Sequence, residues 1–537
     1  DALPEGAKEI LQVGAAIDRE FTYALLQKVV YLPERELLSR LSVLKDMELI
    51  YERGVYPECS YVFKHALTQE VVYDSILVKR KRTIHEKIGK AIEEIYELNI
   101  DEFYEILSDH FMKAENYEKI DKYFKLSGRK AINKASIEDA IMYGKKRLAS
   151  LESRSQTEEI QKKIIEVRTQ IAFLMTQIHY YLEAKKSIDP VIDKALKYNS
   201  KKQLARIYII EGSYLFFIEE DLTRAFYKLE EACKVSEEIG DISSLFVSLT
   251  QLGTAKALNC EFEYALECLQ KATQIMQKVG SSKWGLSINK SYHGFFVYNF
   301  QGKVDLAYQT TQEAVQLADE SGDILSKAQA YICHGRSCYQ KGYLADAEKY
   351  VLEGLNYTKP INLFAWEVMA KTILGEIYFE FGNYEESKKN YMQNSDILEK
   401  HRYYDSWQCL NKTAAARAAV LNNERDIDPD VIREFISAIK IKGYEGWIRR
   451  YFADILLNMN GEYLHDAEGW ILEAIEADQR NGKKFHLGQD YALYADFYKR
   501  TNDPQKTDEY LNQAIQIFKE CGADGWVEKY EKQVREV

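Results

Sequence analysis

Small residues recur through this chain at a nearly constant interval, and that interval limits the fold more than any other feature. Gly or Ala stands at Gly128, Ala172, Gly212, Gly253, Gly294, Gly335, Gly375, Ala415, Ala453 and Ala495, in steps of 38 to 44 residues. A second small residue follows most of these by about a dozen positions, at Ala140, Ala184, Ala225, Ala265, Ala307, Ala347, Ser387 and Thr507. A third comes seven further on, at Ala232, Ala272, Ala314, Gly354 and Ala514. Three coupled registers of this period predict one supersecondary unit repeated along the chain, not a single globular core.

Polar turns separate the registers. "QKGYLAD" (340–346) and "EFGNYEE" (380–386) lie between the first two small positions, and "EEIGD" (237–241) and "DESGD" (319–323) close the units. Each unit therefore reads as helix A, turn, helix B, turn, with a small residue on each helix so that the two backbones can cross closely. Composition agrees: 27 Gly and 7 Pro in 537 residues leave few turn-formers for a β-rich chain. The pattern resembles tetratricopeptide repeats in a form of about 40 residues, carried by Gly335/Ala347/Gly354 and by Gly375 with Tyr378. The expected fold class is all-α, a tetratricopeptide-like α-solenoid over 98–537 of about ten to eleven helix pairs, with "FYEILSDHFMKAENYEKIDKYFKL" (103–126) as a leading pair. The repeats at 415 and 453 fit the period less well.

Residues 1–97 read differently. Helical patterns at 5–16, 21–29 and 34–46 precede two β-like runs, "ELIYERG" (48–54) and "SYVFKH" (60–65), which together predict a winged helix followed by a connecting helix. A winged helix suggests a ligand-sensing transcription regulator that meets DNA. Against this, residues 34–46 set Arg35, Arg40 and Lys45 against Glu34, Glu36 and Asp46, and the whole chain carries a formal charge of −12, so nucleic acid is not the expected partner.

The block "FKHALTQEVVYDSILVKRKRTIHEKIGKAIEE" (63–94) is similar to the segment that follows the ATPase module in bacterial STAND-type signalling ATPases, including those fused to class III adenylate/guanylate cyclase or Ser/Thr kinase domains. The resemblance implies an upstream nucleotide-binding domain using ATP/ADP and Mg, and a non-catalytic sensor or scaffold role for these residues. No Gly-x4-Gly-Lys-[Ser/Thr] occurs here, so no cofactor and no catalytic residue is expected in this chain. It also opens at Asp1 without an initiator Met, as a piece of a longer protein would. The resemblance further implies that His65 reads the β-phosphate of ADP held by the upstream domain, although Ala66 stands where the family has an acid. The other reading is a histidine packed at a strand-to-helix join.

Three further features have bland readings. Lys79–Arg82 is a solvated helix surface or a contact with the ATPase domain, because four consecutive helical charges do not share a face. His293 and His334, with Cys333 and Cys338 nearby, lack the convergent ligands of a metal site and read as packed side chains, so no metal is expected. The eight cysteines form no Cys-x-x-Cys pair, and no apolar run is long enough to span a bilayer, which predicts a cytoplasmic chain with reduced thiols and no membrane contact. The expected binding surface is the concave wall of A helices, through Phe216, Phe217, Phe295, Tyr298, Arg336, Tyr339, Glu376 and Phe379, which would take a protein or peptide. The other reading packs these aromatics within the superhelix.

Overall fold

The computed structural model describes residues 3–56, 58–134, 136–278, 283–424, 426–459 and 463–536. The chain forms two compact units, Asp1–Val167 and Arg168–Val537. Among the described residues no helix is long and apolar enough to cross a membrane.

The first unit starts with α1 (Glu5–Ile17), β1 (Glu20–Thr22), α2 (Tyr23–Val30), α3 (Glu34–Asp46), β2 (Ile50–Val55) and β3 (Glu58–Phe63). These are the three helices and the hairpin expected, plus the short strand β1, which completes an antiparallel sheet in the order β1-β3-β2. Alternation along β3 buries Cys59, Tyr61 and Phe63 on the face that meets the helices. Four helices follow: α4 (Ala66–Asp74), α5 (Val78–Ile95), α6 (Tyr104–Ala114) and α7 (Tyr117–Asn133), then α8 (Ile137–Glu152). The expected leading pair at 103–126 divides differently. Residues 117–133 are one helix, and its Gly128 faces Ala140 and Tyr143 of α8. The pair before it is α5 with α6, where a Cβ at Gly89 would lie 2.6 Å from the Phe111 ring. Gly89 is thus one more rung, 39 residues before Gly128, in a stretch the sequence reading assigned to the connecting helix.

The second unit is the tetratricopeptide-like α-solenoid. Its pairs are α9 (Glu158–Gln177), which contains the division point, with α10 (Tyr181–Ile188) and α11 (Ile192–Lys197); α12 (Lys201–Tyr214) with α13 (Leu222–Glu238); and α14 (Ile242–Leu258) with α15 (Phe262–Lys278). Next come α16 (Lys283–Tyr292), continued by α17 (Asn299–Gln301), with α18 (Val304–Ser321); α19 (Ile324–Lys341) with α20 (Leu344–Thr358); and α21 (Phe364–Glu380) with α22 (Tyr384–His401). The last are α23 (Asp405–Leu421) with α24 (Pro429–Ser437), α25 (Lys442–Asn458) with α26 (Leu464–Arg480), and α27 (Lys484–Arg500) with α28 (Pro504–Cys521), before α29 (Asp524–Glu536).

The ladder residues sit where A and B helices cross. A Cβ at Gly212, Gly253, Gly294 or Gly335 would lie 3.1 to 3.3 Å from the carbonyl oxygen of Ala225, Ala265, Ala307 or Ala347 respectively, so the second register packs directly on the first. At Gly375 the Ser387 hydroxyl donates to the glycine carbonyl at 2.7 Å. Ala415 is the exception: it is only half-buried, and Ala414 takes the inward place. Turn chemistry fixes the ends. Asp221, Asp323, Asn383 and Asp503 accept N-terminal N–H groups of α13, α19, α22 and α28, which satisfies donors that a helix start leaves open.

The solenoid winds tightly enough to touch itself. The Tyr404 N–H donates to the Phe217 carbonyl at 2.8 Å, and Trp526 Nε1 donates to the Tyr339 carbonyl at 2.9 Å. Lys341 reaches the Gly522 carbonyl at 2.8 Å and pairs with Asp524. A Cβ at Gly443 would lie 2.8 Å from the Leu258 carbonyl oxygen, and one at Gly302 would lie 2.7 Å from the Phe485 nitrogen. Each contact joins the A-to-B turn of one repeat to the start of an A helix 181 to 187 residues later. That offset is about four and a half repeats. Successive turns therefore form a seam, and the inner wall of A helices encloses a narrow lumen.

Candidate functional site

The lumen holds a cavity of ≈ 510 Å³ near the C-terminal end of the array. Its walls come from six successive inner helices: Tyr339 of α19, Glu376 and Phe379 of α21, Arg417 of α23, Arg450 and Tyr451 of α25, Gln489 and Asp496 of α27, and Trp526, Lys529 and Tyr530 of α29. The ring closes between its first and last members, where Tyr339 meets Trp526 edge to face with centroids 5.6 Å apart.

Ion pairs stitch neighbouring inner helices together. Arg336 is bonded to Glu376, forty residues on, and both are buried. Arg450 donates to Asp490 at 2.9 Å and lies 3.7 Å from Asp478, while Lys483 lies 3.6 Å from Asp478. Arg417 Nε donates to Asp454 at 2.6 Å. A buried charge without a partner costs several kcal/mol, so these pairs hold α19 to α21, α23 to α25 and α25 to α27 in register. Burial dominates their titration. It raises the Glu376 carboxyl in spite of Arg336, and it raises Asp490 well above the carboxylate range with help from Asp478. It also drives His486 well below the usual imidazole value, with Lys483 and Arg450 acting the same way. For Arg417 burial works against the charge, but Asp454 and Tyr451 outweigh it and raise the guanidinium.

Towards the N-terminal end the lumen is filled by aromatic side chains and leaves only ≈ 40 Å³ beside Phe217, Tyr292, Trp366, Tyr403 and Trp407. Two π-helical turns, Leu215–Glu219 and His293–Tyr298, interrupt A helices here and turn adjacent phenylalanines inward.

No protein-family model and no curated protein matches this chain. Among solved structures it is similar to a signal transduction ATPase with numerous domains carrying a tetratricopeptide repeat sensor, from Pyrococcus horikoshii, at 16% identity and a TM-score of 0.46 over 90% of this chain and 66% of that one. It is also similar to a Rap protein complexed with competence and sporulation factor (10%, TM-score 0.38, 75% of this chain and 99% of that one). A third is the apo quorum sensor NprR from B. thuringiensis (16%, TM-score 0.39, 64% and 98%). The chain spans just under two thirds of the archaeal ATPase. All three scores lie below 0.5, and the fold and cavity rest on the geometry above.

Of the residues expected on a concave wall, Tyr339, Glu376 and Phe379 line the cavity. Of the other five, Phe216, Phe217, Phe295 and Arg336 are buried and Tyr298 is half-buried. Phe216 and Phe217 pack on Tyr403 and Tyr404 across the seam. Phe295 packs on Phe296 and Trp366, and Tyr298 lies against His293. Arg336 pairs with Glu376 and lies over Tyr339 and Trp447, each 5.1 Å from the ring centroid. Arg417, Arg450, Tyr451 and Trp526 escaped the sequence reading because the period blurs after residue 400. The signal that could have found them is the opposite charge 37 to 40 residues ahead of each inner arginine: Arg336 and Glu376, Arg417 and Asp454, Arg450 and Asp490.

His65 precedes α4 with an exposed side chain, while its carbonyl accepts the Thr68 N–H at 3.1 Å. In the basic run Arg80 pairs with Glu9, Lys81 with Asp74 and Arg82 with Glu115. On α3, Arg40 pairs with Glu36 and Lys45 with Glu52, which neutralises the helix that would enter a groove in DNA. His293 Nδ1 bonds the Asn289 carbonyl and His334 Nδ1 the Thr311 hydroxyl. Among the described residues no three His, Cys, Asp or Glu side chains converge as metal ligands do.

Proposed function

We propose that this chain is the sensor region of a multidomain signalling ATPase, and that the array binds a small ligand or a chain end in the lumen cavity. The observation that carries this reading is the closure of six inner helices around ≈ 510 Å³ of mixed aromatic and charged wall. That volume lies within the range of about 300–1,000 Å³ found for small-molecule sites. It is close to one turn of an α-helix, a cylinder about 10 Å wide and 5.4 Å long, which is too short for helix-in-groove binding of a whole protein segment.

A ligand in the ring touches both α19 and α29, so it favours the closed turn over any looser winding, and its differential affinity sets the size of the shift. Unit 1 then serves as the relay. Its order of three helices and a three-stranded sheet supports a winged helix, and Leu67, Val71, Leu77 and Val78 are each at least 60% exposed just after His65. In this proposal that stretch docks an upstream nucleotide-switch domain, with His65 facing its ADP and a cyclase or kinase as effector. Thermal melting with pools of metabolites and short peptides tests the binding step. A ligand should raise the midpoint, and Ala492→Trp, which fills the cavity, should abolish the rise without unfolding the chain. A bound ligand indifferent to Ala492→Trp would contradict the proposal.

A further inference from the structure

The shape and charge of the cavity also narrow the ligand. We infer that it takes a zwitterion, a free amino acid or a short unmodified peptide, with the carboxylate on Arg417 and the ammonium against Glu376 and Glu380; this rests on the lumen being the binding site.

Arg417 has the geometry of a carboxylate receptor. Its guanidinium lies between two rings, 3.5 Å from the Phe379 centroid and 4.6 Å from that of Tyr451, which fixes the plane. Only Nε is engaged, by Asp454 at 2.6 Å, and the two terminal amino groups have no hydrogen-bond partner among the described residues. A guanidinium carries five donors in a rigid fork, and the free edge matches the two oxygens of a carboxylate. The other cations on the wall are committed. Arg450 donates to Asp490, to the His486 carbonyl and to the His486 ring, and Lys529 donates to Glu380 at 2.7 Å. One open fork suits one carboxylate, and a polyphosphate would need more.

The acidic side is equally specific. Glu376 gives one oxygen to Arg336 and Glu380 gives one to Lys529, and neither second oxygen has a hydrogen-bond partner among the described residues. Tyr339, Trp526 and Tyr530 also line the cavity, with Arg336 over the Tyr339 ring and Lys529 over the Trp526 and Tyr530 rings, so cations already meet these ring faces. The lining cations Arg417, Arg450 and Lys529 balance the lining anions Glu376, Glu380 and Asp496 three to three. A balanced wall rewards a ligand that carries both signs and penalises one that brings a net charge into the lumen.

The experiment is calorimetric titration of the full chain with five probe sets: unmodified tripeptides, the same tripeptides amidated at the C-terminus, the same acetylated at the N-terminus, the free amino acids, and neutral di- and trisaccharides. An unmodified tripeptide or an amino acid should bind, and the tighter set identifies the source. Amidation and acetylation should each weaken binding about tenfold or more, the loss expected of a hydrogen bond to a charged group. Arg417→Lys keeps a charge for Asp454 but removes the fork, so it should weaken the unmodified ligand about tenfold and leave the amidated one unchanged. Equal binding of amidated and unmodified peptides overturns the inference, and needs no variant if Arg417→Lys fails to fold. Binding of saccharides alone, lost in Ala492→Trp, overturns the zwitterion and keeps the lumen. No binding in any set that Ala492→Trp abolishes overturns both.

Discussion

Gly335 leaves its neighbours almost no slack: a Cβ there would lie 2.4 Å from Val351 Cγ2 and 3.1 Å from the Ala347 carbonyl oxygen. Gly335→Ala should cost stability overall, because overpacking of about 1–3 kcal/mol exceeds the gain of about 1 kcal/mol in helix propensity, and Gly335→Val should cost more. Gly322, in a turn at φ +69° with nothing within 4 Å, should lose about 1 kcal/mol through its backbone alone, whether it becomes Ala or Ser. Urea unfolding of the four variants checks both statements. A second residue-scale prediction concerns His85 and His110, buried with their Nδ1 atoms 2.9 Å apart and with the Tyr73 hydroxyl 2.9 Å from His85 Nε2. One ring must donate to the other, so the pair cannot carry a charge on both rings. Burial pushes His85 down to about 3, aided by His110 and Lys113, and His110 down to about 4, with Lys113 acting the same way and Asp109 opposing in both. As pH falls below the unfolded value of about 6.5, the unfolded chain takes up protons that the fold refuses, so stability is lost at about 1.4 kcal/mol per pH unit for each histidine. Hydrogen-exchange protection factors, which allow for the slower intrinsic exchange at low pH, should therefore fall in α5 and α6 between pH 7 and pH 5, and His85→Phe with His110→Leu should flatten the effect. The sequence offered no hint of this pair, since only the crossing of α5 on α6 brings together residues 25 apart.

Among elements, the seam carries the account. Glu220 lies at φ +51° in the turn before α13 and accepts the Ser406 N–H and hydroxyl, both at 2.7 Å, at the start of α23. Glu220→Ala removes both acceptors and leaves a buried donor open, so it should cost about 2–3 kcal/mol and should raise exchange at α23 more than at α13. Helix pairs and their crossings were legible because small residues can recur at this period for little other reason than close approach. The seam was not legible. A period fixes which helices pair, but the small rotation between repeats depends on the sizes of inner side chains, and a few degrees per repeat decide between an open groove and a closed lumen. That is why the sequence leaves Phe216 and Phe217 either on a groove wall or packed within the superhelix, and places Arg336 on the wall, whereas all three are buried. The front of the array was misdivided for a simpler reason: Gly89 lies in a stretch whose basic run and histidines drew the reading away from the ladder.

At the largest scale, closure of the array on itself is what brings the six inner helices of the cavity and the free face of Arg417 together. An open solenoid presents a long groove, whereas the inner helices here surround a chamber of ≈ 510 Å³. Zero-length carbodiimide cross-linking of the full chain, read by mass spectrometry, tests closure most directly. A closed array should give abundant links from Lys341 to Asp524 and from Lys529 to Glu380, which lie 183 and 149 residues apart in sequence. Links confined to neighbouring repeats, with none between α19 and α29 or between α21 and α29, would contradict it.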